Sequence, residues 1–411
     1  FEPIEQSSIT RSAYGSLGGK LRIIIWFACG KLGKRGKGML KHYHIRDYDF
    51  KLIILVVALT AVGVLAIGSA KESLQSRQIA GAVFGFFLML VLSLFDYSVI
   101  LKFYWIMYVV NLVLLWLVRV AGVEVAGAQR WLNLFGIQFQ PSETAKILLI
   151  LFFAQFIMKH KEEMGTLKIV GSCVLLFVPS IYLILKQPDL STSIMVVILF
   201  CVVMFVGGVS WKYVILAISI AVPAFIIALT LILQPEQEIL NDFQQRRILA
   251  WLYPEEYSDT EAYQQTNSMM AIGSGMLYGK GYNTNEISSV KNGNFIAEVE
   301  TDFIYAVIGE EFGFVGGCVV IVLLIFISFE CIIVSRKAKD LAGTIIAAGV
   351  AALVGFQGML NIAVATGASP NTGIPLPFVS YGLTSVVSLY IGIGFVLNIR
   401  LQCKNDRGVG K

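Results

Sequence analysis

The stretch Phe295–Gly316, FIAEVETDFIYAVIGEEFGFVG, sets three carboxylates, Glu298, Glu300 and Asp302, at alternate positions directly ahead of a long apolar run. A carboxylate at the mouth of a membrane helix loses solvation and needs either a partner or a task. Helix-end chemistry would supply the first: Thr301 caps, Asp302 favours the positive end of the dipole, and the other acids are solvated loop. Chemistry at the membrane surface would supply the second. The rest of the chain decides between them.

Outward from this stretch, the 411 residues are 56% hydrophobic and only 14% charged, with a mean hydropathy of +0.74. The apolar residues come in uncharged blocks, and about 17–25 such residues cross a bilayer as a helix. The expected fold class is an all-α polytopic membrane protein with about ten transmembrane helices. The expected spans are Phe50–Ala70, Ile79–Phe95, Phe103–Val118, Thr144–Met158, Ile169–Leu185, Leu190–Val206, Tyr213–Leu233, Phe303–Val334, Leu341–Ala365 and Leu383–Leu401. The fourth is short enough to be re-entrant or interfacial. The eighth exceeds the bilayer thickness at about 1.5 Å per residue, so it is expected to tilt or to project from the surface.

Cations gather in the N-terminal segment (Lys31, Lys34, Arg35, Lys37, Lys41, Arg46), at Lys159 and Lys161, at Arg336, Lys337 and Lys339, and at Arg400, Lys404, Arg407 and Lys411. With ten spans all of these share one side, which the positive-inside rule makes cytoplasmic. Both termini are then cytoplasmic: 1–47 is an N-terminal extension, 48–402 the transmembrane domain and 403–411 a tail. One large extracellular loop, 234–301, separates spans seven and eight, and Asp302 sits at the outer face. The extension is basic with a short apolar core, so it is either an interfacial helix on anionic lipid or an addition to the natural chain. The net charge of +5 is mostly this orientation signal and gives no argument for nucleic acid. Six cysteines and three histidines show no ligand spacing, which argues against a disulfide framework or a zinc site.

Four further stretches carry polar groups next to apolar blocks. VEVAGAQRWLNLFGIQFQPSETAK (residues 123–146) brings Arg130, Glu143 and Lys146 together, with Pro141 suited to a helix start. These charges read either as an internal ion pair or as a cationic mouth for an anionic substrate. LKQPDLSTS (185–193) reads as a tight turn in which Asp189 caps the next helix. The loop 234–301 carries Arg246, Arg247 and Lys280, and its ILAWL run suggests a helix lying on the outer leaflet. Its AIGSGMLYGKG departs from a phosphate loop, so those glycines read as sharp turns or close backbone packing. NIAVATGASPNTGIPLPFVSYGLTSV (361–386) breaks the last two spans with prolines and glycines, as a plain loop or as a second wall of the same outer site.

Taken together, these motifs resemble the SEDS family (RodA, FtsW and SpoVE), polytopic peptidoglycan glycosyltransferases. The resemblance rests on AQRW (128–131), QPSE (140–143) with Lys146, QPDL (187–190), AIGSG (271–275), TDFIY (301–305) with EEFG (310–313), and GIPLPFVSYG (373–382), in that order. Here Ala297-Glu298 stands for the usual Pro-Glu, Glu300 for a frequent histidine, Ser191 for the glycine after QPDL, Leu383 for the second glycine of SYGG and Asn267 for a glutamine. The resemblance implies polymerisation of lipid II, an undecaprenyl-pyrophosphoryl disaccharide-pentapeptide, on the outer face of the bacterial cytoplasmic membrane, with a class B penicillin-binding protein as partner. It places the essential aspartate on Asp302 and the required basic residues on Lys146 and Arg77.

The physical reading beside it makes Asp302 a general base whose pKa burial and the neighbouring acids raise and the helix dipole lowers. Arg130, Lys146, Arg246, Arg247 and Lys280 are candidate clamps on pyrophosphate. Glu143, Glu298, Glu300 and Ser380 complete the expected substrate site. A divalent cation (Mg or Mn) held by the acidic cluster would serve equally well, with its ligands unassigned. The rival functions are a lipid II flippase and a non-catalytic scaffold that activates a transpeptidase.

Overall fold

The structure is a computed structural model that describes residues 48–125, 128–134, 137–187, 189–232, 242–257, 262–283, 289, 293 and 295–403. All of them fall within one compact unit, His42–Lys411. The expected N-terminal extension and nearly all of the expected tail lie outside the described residues.

Helix α1 (Phe50–Ala70) begins where the Asp49 carboxylate accepts from the Leu52 amide, 3.2 Å away. It is followed by α2 (Glu72–Leu94) and, through two short turns, α3 (Tyr104–Ala121). A small antiparallel sheet comes next: β1 (Val123–Val125), β2 (Ala128–Leu134) and β3 (Ile137–Phe139). Val123 pairs with Trp131, Leu132 with Phe139, and the register slips after Val123. This meander is the departure from an all-helical chain among the described residues, and it carries Arg130.

The chain continues with α4 (Pro141–Lys159), α5 (Leu167–Leu185), α6 (Leu190–Val206) and α7 (Trp211–Ile232), then two shorter helices, α8 (Asp242–Leu252) and α9 (Tyr263–Ser274). The last three are α10 (Ile304–Lys337), α11 (Leu341–Ala365) and α12 (Leu383–Leu401). Eight helices are long and apolar enough to cross a membrane, and Ser191–Val206 and Trp211–Ala224 add two shorter apolar ones. The ten expected spans therefore match ten apolar helices. The fourth, at 19 residues, is long and apolar enough to cross, because Pro141 starts it three residues earlier than its hydropathy suggests.

Burial divides the spans. In the most apolar stretch of α4, 83% of residues are buried, and 72% in α12, against 28% in the span Tyr97–Ala121. The central helices α4, α11 and α12 thus form the core, while Val83, Phe84, Phe87 and Ile106 on the outer ring stay exposed for lipid. Successive crossings bring Lys71, the meander, Asp189, α8, α9, Asp302 and the 366–382 segment to one end of the bundle.

The long eighth span is not one straight helix. At 34 residues a straight α10 would extend about 50 Å, against about 30 Å of hydrocarbon. It breaks at Gly313, whose φ of 64° and ψ of −162° suit glycine and strain an L side chain. The segment after α9 fills the break: the Lys280 amide donates to Glu310 O at 2.9 Å and the Phe314 amide to Met276 O at 2.9 Å. Backbone groups freed inside the membrane are thereby satisfied. Of the glycines of the phosphate-loop look-alike, Gly275 and Gly279 serve this close backbone packing, against Gly309 and Glu311, while Gly281, with φ 96°, serves a turn.

Candidate active site

The turn 297–301 does not present its acids as an alternating row. Glu298 adopts a left-handed conformation with φ 53° and is exposed. Thr301 Oγ1 donates back to Glu298 O at 2.8 Å, so it closes a turn and does not cap α10. The residue at the helix start is Phe303, without a side-chain cap. Glu300 is buried and accepts from Lys71 Nζ at 2.8 Å, and this bond raises the lysine's pKa. Each of the three carboxylates thus has its own surroundings. Among the described residues no group of three or more His, Cys, Asp or Glu converges, so the acidic cluster expected to hold a divalent cation is not formed.

Asp302 remains partly accessible and forms no ion pair among the described residues. Desolvation by the surrounding protein pushes its carboxyl up to about 6; Arg247 and Arg130 pull it down, and Glu298 and Asp189 push it further up. Gly373, with φ 72°, stands beside it: a Cβ there would lie 3.1 Å from Asp302 Oδ2 and 4.0 Å from Arg247 Nη1. The space a side chain would fill at Gly373 therefore lies against both the carboxyl and the guanidinium, a slot left open by a residue without a side chain.

Arg247 comes from α8 and donates from Nη1 to Asn371 O at 3.4 Å. The neighbouring helix α9 is tied to the same segment by Gln265 Nε2, which donates to Ser369 O at 2.7 Å, and by Ser268 Oγ to Ala365 O at 2.8 Å. Helices α8 and α9 thus pack at the end of α11, and α8 brings an arginine toward Asp302. Arg130 approaches from β2, 3.9 Å from Asp189. Asp189 caps α6 by accepting from the Thr192 amide at 3.1 Å, so the QPDL stretch is more than a turn: it also steers Arg130.

The other expected site residues lie elsewhere. Lys146 and Glu143 form a closed pair at 2.7 Å, each side chain 3% exposed. Of the two readings left open for them, the internal ion pair is the one formed. Lys146 Nζ also donates to Gln357 Oε1 at 2.8 Å, and Gln357 Nε2 donates to Pro375 O at 3.0 Å, which links the pair to the GIPLP loop. Lys280 pairs with Glu310 at 2.9 Å and supports the α10 break rather than Asp302. Arg246 is exposed on α8. Arg77 is exposed near the start of α2, with no described contact to Asp302; its neighbour Gln78 is the buried residue, donating to Ser380 O at 3.3 Å. Ser380 is buried, and its hydroxyl contacts backbone, not the slot: it accepts from the Leu376 amide at 2.7 Å and donates to Thr301 O at 2.5 Å. Gln357 and Asn361 escaped the sequence reading because an uncharged amide inside an apolar helix carries no charge signal.

Known proteins resemble this chain over most of its length. Residues 48–405 match the family of cell cycle proteins FtsW, RodA and SpoVE. The peptidoglycan glycosyltransferase MrdB of Escherichia coli (strain K12) is 33% identical over 360 residues, covering 87% of this chain and 94% of that protein. A probable peptidoglycan glycosyltransferase FtsW of Haemophilus ducreyi is 32% identical, covering 88% and 91%. A solved chain described under structural coordination of polymerization and crosslinking by a peptidoglycan synthase complex superposes with a TM-score of 0.71 at 28% identity, over 86% of this chain and 97% of that one. The rod shape determining protein RodA of Thermus thermophilus gives a TM-score of 0.64 at 28% identity, over 87% and 98%. The chain belongs to the FtsW/RodA/SpoVE family, the SEDS proteins.

Proposed function

We infer that this chain is a peptidoglycan glycosyltransferase of the bacterial inner membrane, polymerising lipid II at the outer face. The observation that carries the reading is the Asp302 carboxyl, raised to about 6 and bordering, with Arg247, the slot that Gly373 leaves open. Its family and its near full-length likeness to proteins named peptidoglycan glycosyltransferases supply the reaction class.

In that reaction the acceptor sugar hydroxyl attacks the anomeric carbon of the donor, the bond from that carbon to pyrophosphate breaks, and undecaprenyl pyrophosphate leaves. Asp302 takes the hydroxyl proton; a carboxylate with a pKa near 6 is mostly ionised at neutral pH and more basic than an ordinary one. Arg247 and Arg130 are placed to stabilise the charge growing on the leaving pyrophosphate. The Lys146–Glu143 pair is tied to the GIPLP wall through Gln357. The outward orientation of this end follows from the cationic loops at the other. A crosslinking transpeptidase of the class B penicillin-binding type is the proposed partner, in keeping with the synthase complex that contains a structural relative.

The test is lipid II polymerisation by purified protein with its partner, comparing the wild type with Asp302→Ala. Glycan strands from the wild type and none from a folded Asp302→Ala protein are expected. Strands from both would remove Asp302 as the base. Strands from neither, with lipid II crossing liposome membranes, would make the chain a flippase.

A further inference from the structure

Three consecutive backbone carbonyls lead up to and include Asp302, and each is held from outside its own segment. Glu300 O accepts from the Tyr381 amide at 2.9 Å. Thr301 O accepts from Ser380 Oγ at 2.5 Å. Asp302 O accepts from Asn361 Nδ2 at 2.8 Å. The donors are themselves tied to the opposite wall: Asn361 Nδ2 also donates to Ile374 O at 2.7 Å, and Ser380 Oγ accepts from the Leu376 amide at 2.7 Å. Asn361 is 1% exposed and Ser380 is 2% exposed, so water does not replace these bonds.

We propose that Asn361 and Ser380 are positioning residues for the transferase reaction: they fasten the Asp302 backbone to the GIPLPFVSYG segment and thereby fix where the carboxyl stands relative to Gly373 and Arg247. The proposal rests on Asp302 being the base. A turn that precedes a membrane helix has freedom to swing, and one ångström of displacement at a reacting group is costly in rate. Three fasteners on three successive peptide units remove that freedom. The same two side chains hold both walls of the slot, Asn361 through Asp302 and Ile374, Ser380 through Thr301 and Leu376. Slot width is therefore set by two neutral side chains that touch no reacting atom.

The experiment compares wild type, Asn361→Leu, Ser380→Ala and Ser380→Thr in two assays. The first is lipid II polymerisation, resolved into kcat and KM across pH. The second is carbodiimide labelling of the Asp302 peptide against pH, read by mass spectrometry, which reports the carboxyl's titration without catalysis. The groups that act on that titration are Arg247 from α8, Glu298 from the turn, Arg130 from β2 and Asp189 from the α6 cap.

Asn361→Leu and Ser380→Ala are expected to lower kcat at least tenfold with KM within threefold. Their labelling midpoint is expected to fall by about one pH unit as the released carboxyl gains solvent. Ser380→Thr keeps the hydroxyl and is expected to return much of the lost kcat. Folded variants with near wild-type kcat would overturn the proposal, and so would a lowered kcat with an unmoved labelling midpoint. If Asn361→Leu does not fold, Ser380→Ala, which removes one hydroxyl, decides. If the wild type makes no polymer, the transferase reading fails, and the labelling midpoint still decides whether these residues set the position of Asp302.

Discussion

The Glu143–Lys146 pair and Asp302 both place ionisable groups in apolar surroundings at the same end of the bundle, and the fold treats them in opposite ways. Glu143 and Lys146 lie 2.7 Å apart on one helix face, each 3% exposed, with Gln357 taking up another ammonium proton. Every charge there is neutralised in place. Asp302 has two arginines near enough to act on its titration and neither closed upon it. A closed pair is structural; a carboxylate kept short of its counter-ions has bonding capacity left for a substrate. The number of charges in a membrane region is thus a poorer guide to chemistry than whether they meet.

The largest expected effect comes from Asp302→Asn, which keeps the shape and removes the base. Polymerisation should fall about a hundred- to ten-thousand-fold. Stability should move the other way. The folded carboxyl titrates near 6, above its ordinary 3.8, so its favourable contribution is complete below pH 4 and is lost as pH rises through 6. At pH 8 the wild type carries that penalty and Asp302→Asn does not. Its melting temperature at pH 8 should therefore exceed that of the wild type by an amount equivalent to about 1–2 kcal/mol, allowing for partial solvation.

Lys146→Met should do the reverse. It strands a buried Glu143, at a cost of about 3–5 kcal/mol seen as a lowered melting temperature. Adding Glu143→Leu should restore most of that loss, since replacing a whole buried pair is often neutral. If the double variant recovers stability and polymerises, the pair is structural; if it recovers stability alone, Lys146 has a task in the reaction.

Gly373→Ala crowds Asp302 Oδ2 and strains a φ of 72°, so kcat should drop about tenfold or more with little change in fold, measured as polymer formed per unit time. The pH profile of the wild type should show an acid limb near 6, with about a tenfold loss for each further unit below it. Lys71→Met is the mildest: Lys71 is half exposed, and melting should fall by about 1 kcal/mol or less with polymerisation nearly intact.

What the sequence made legible follows the same division. The spans and the importance of Asp302 could be read because charge and apolar blocks are strong local signals. The spacing of Glu298, Glu300 and Asp302 suggested one acidic cluster, but the left-handed Glu298 turns the backbone: Glu298 is exposed, Glu300 goes to Lys71, and Asp302 forms no ion pair among the described residues. Which cation reaches which acid is a tertiary matter: Lys280 could have gone to Asp302 and went to Glu310. Asp189 looked like a cap and is one, but its second duty toward Arg130 depends on a meander that no periodicity announced. Asn361 and Gln357 were silent for want of charge.

The break at Gly313 has a mechanical consequence. A continuous α10 would act as a rigid rod, and a bilayer that thinned or thickened would re-tilt the whole of it, Asp302's end included. With the break, both sides of Gly313 are fastened to the segment after α9: Glu310 O and Glu311 O accept from the Lys280 and Gly281 amides, and the Phe314 and Val315 amides donate to Met276 O and Leu277 O. The joint is a splice: the outer piece takes its direction from the segment it is keyed to, and not from a continuous helix beneath it.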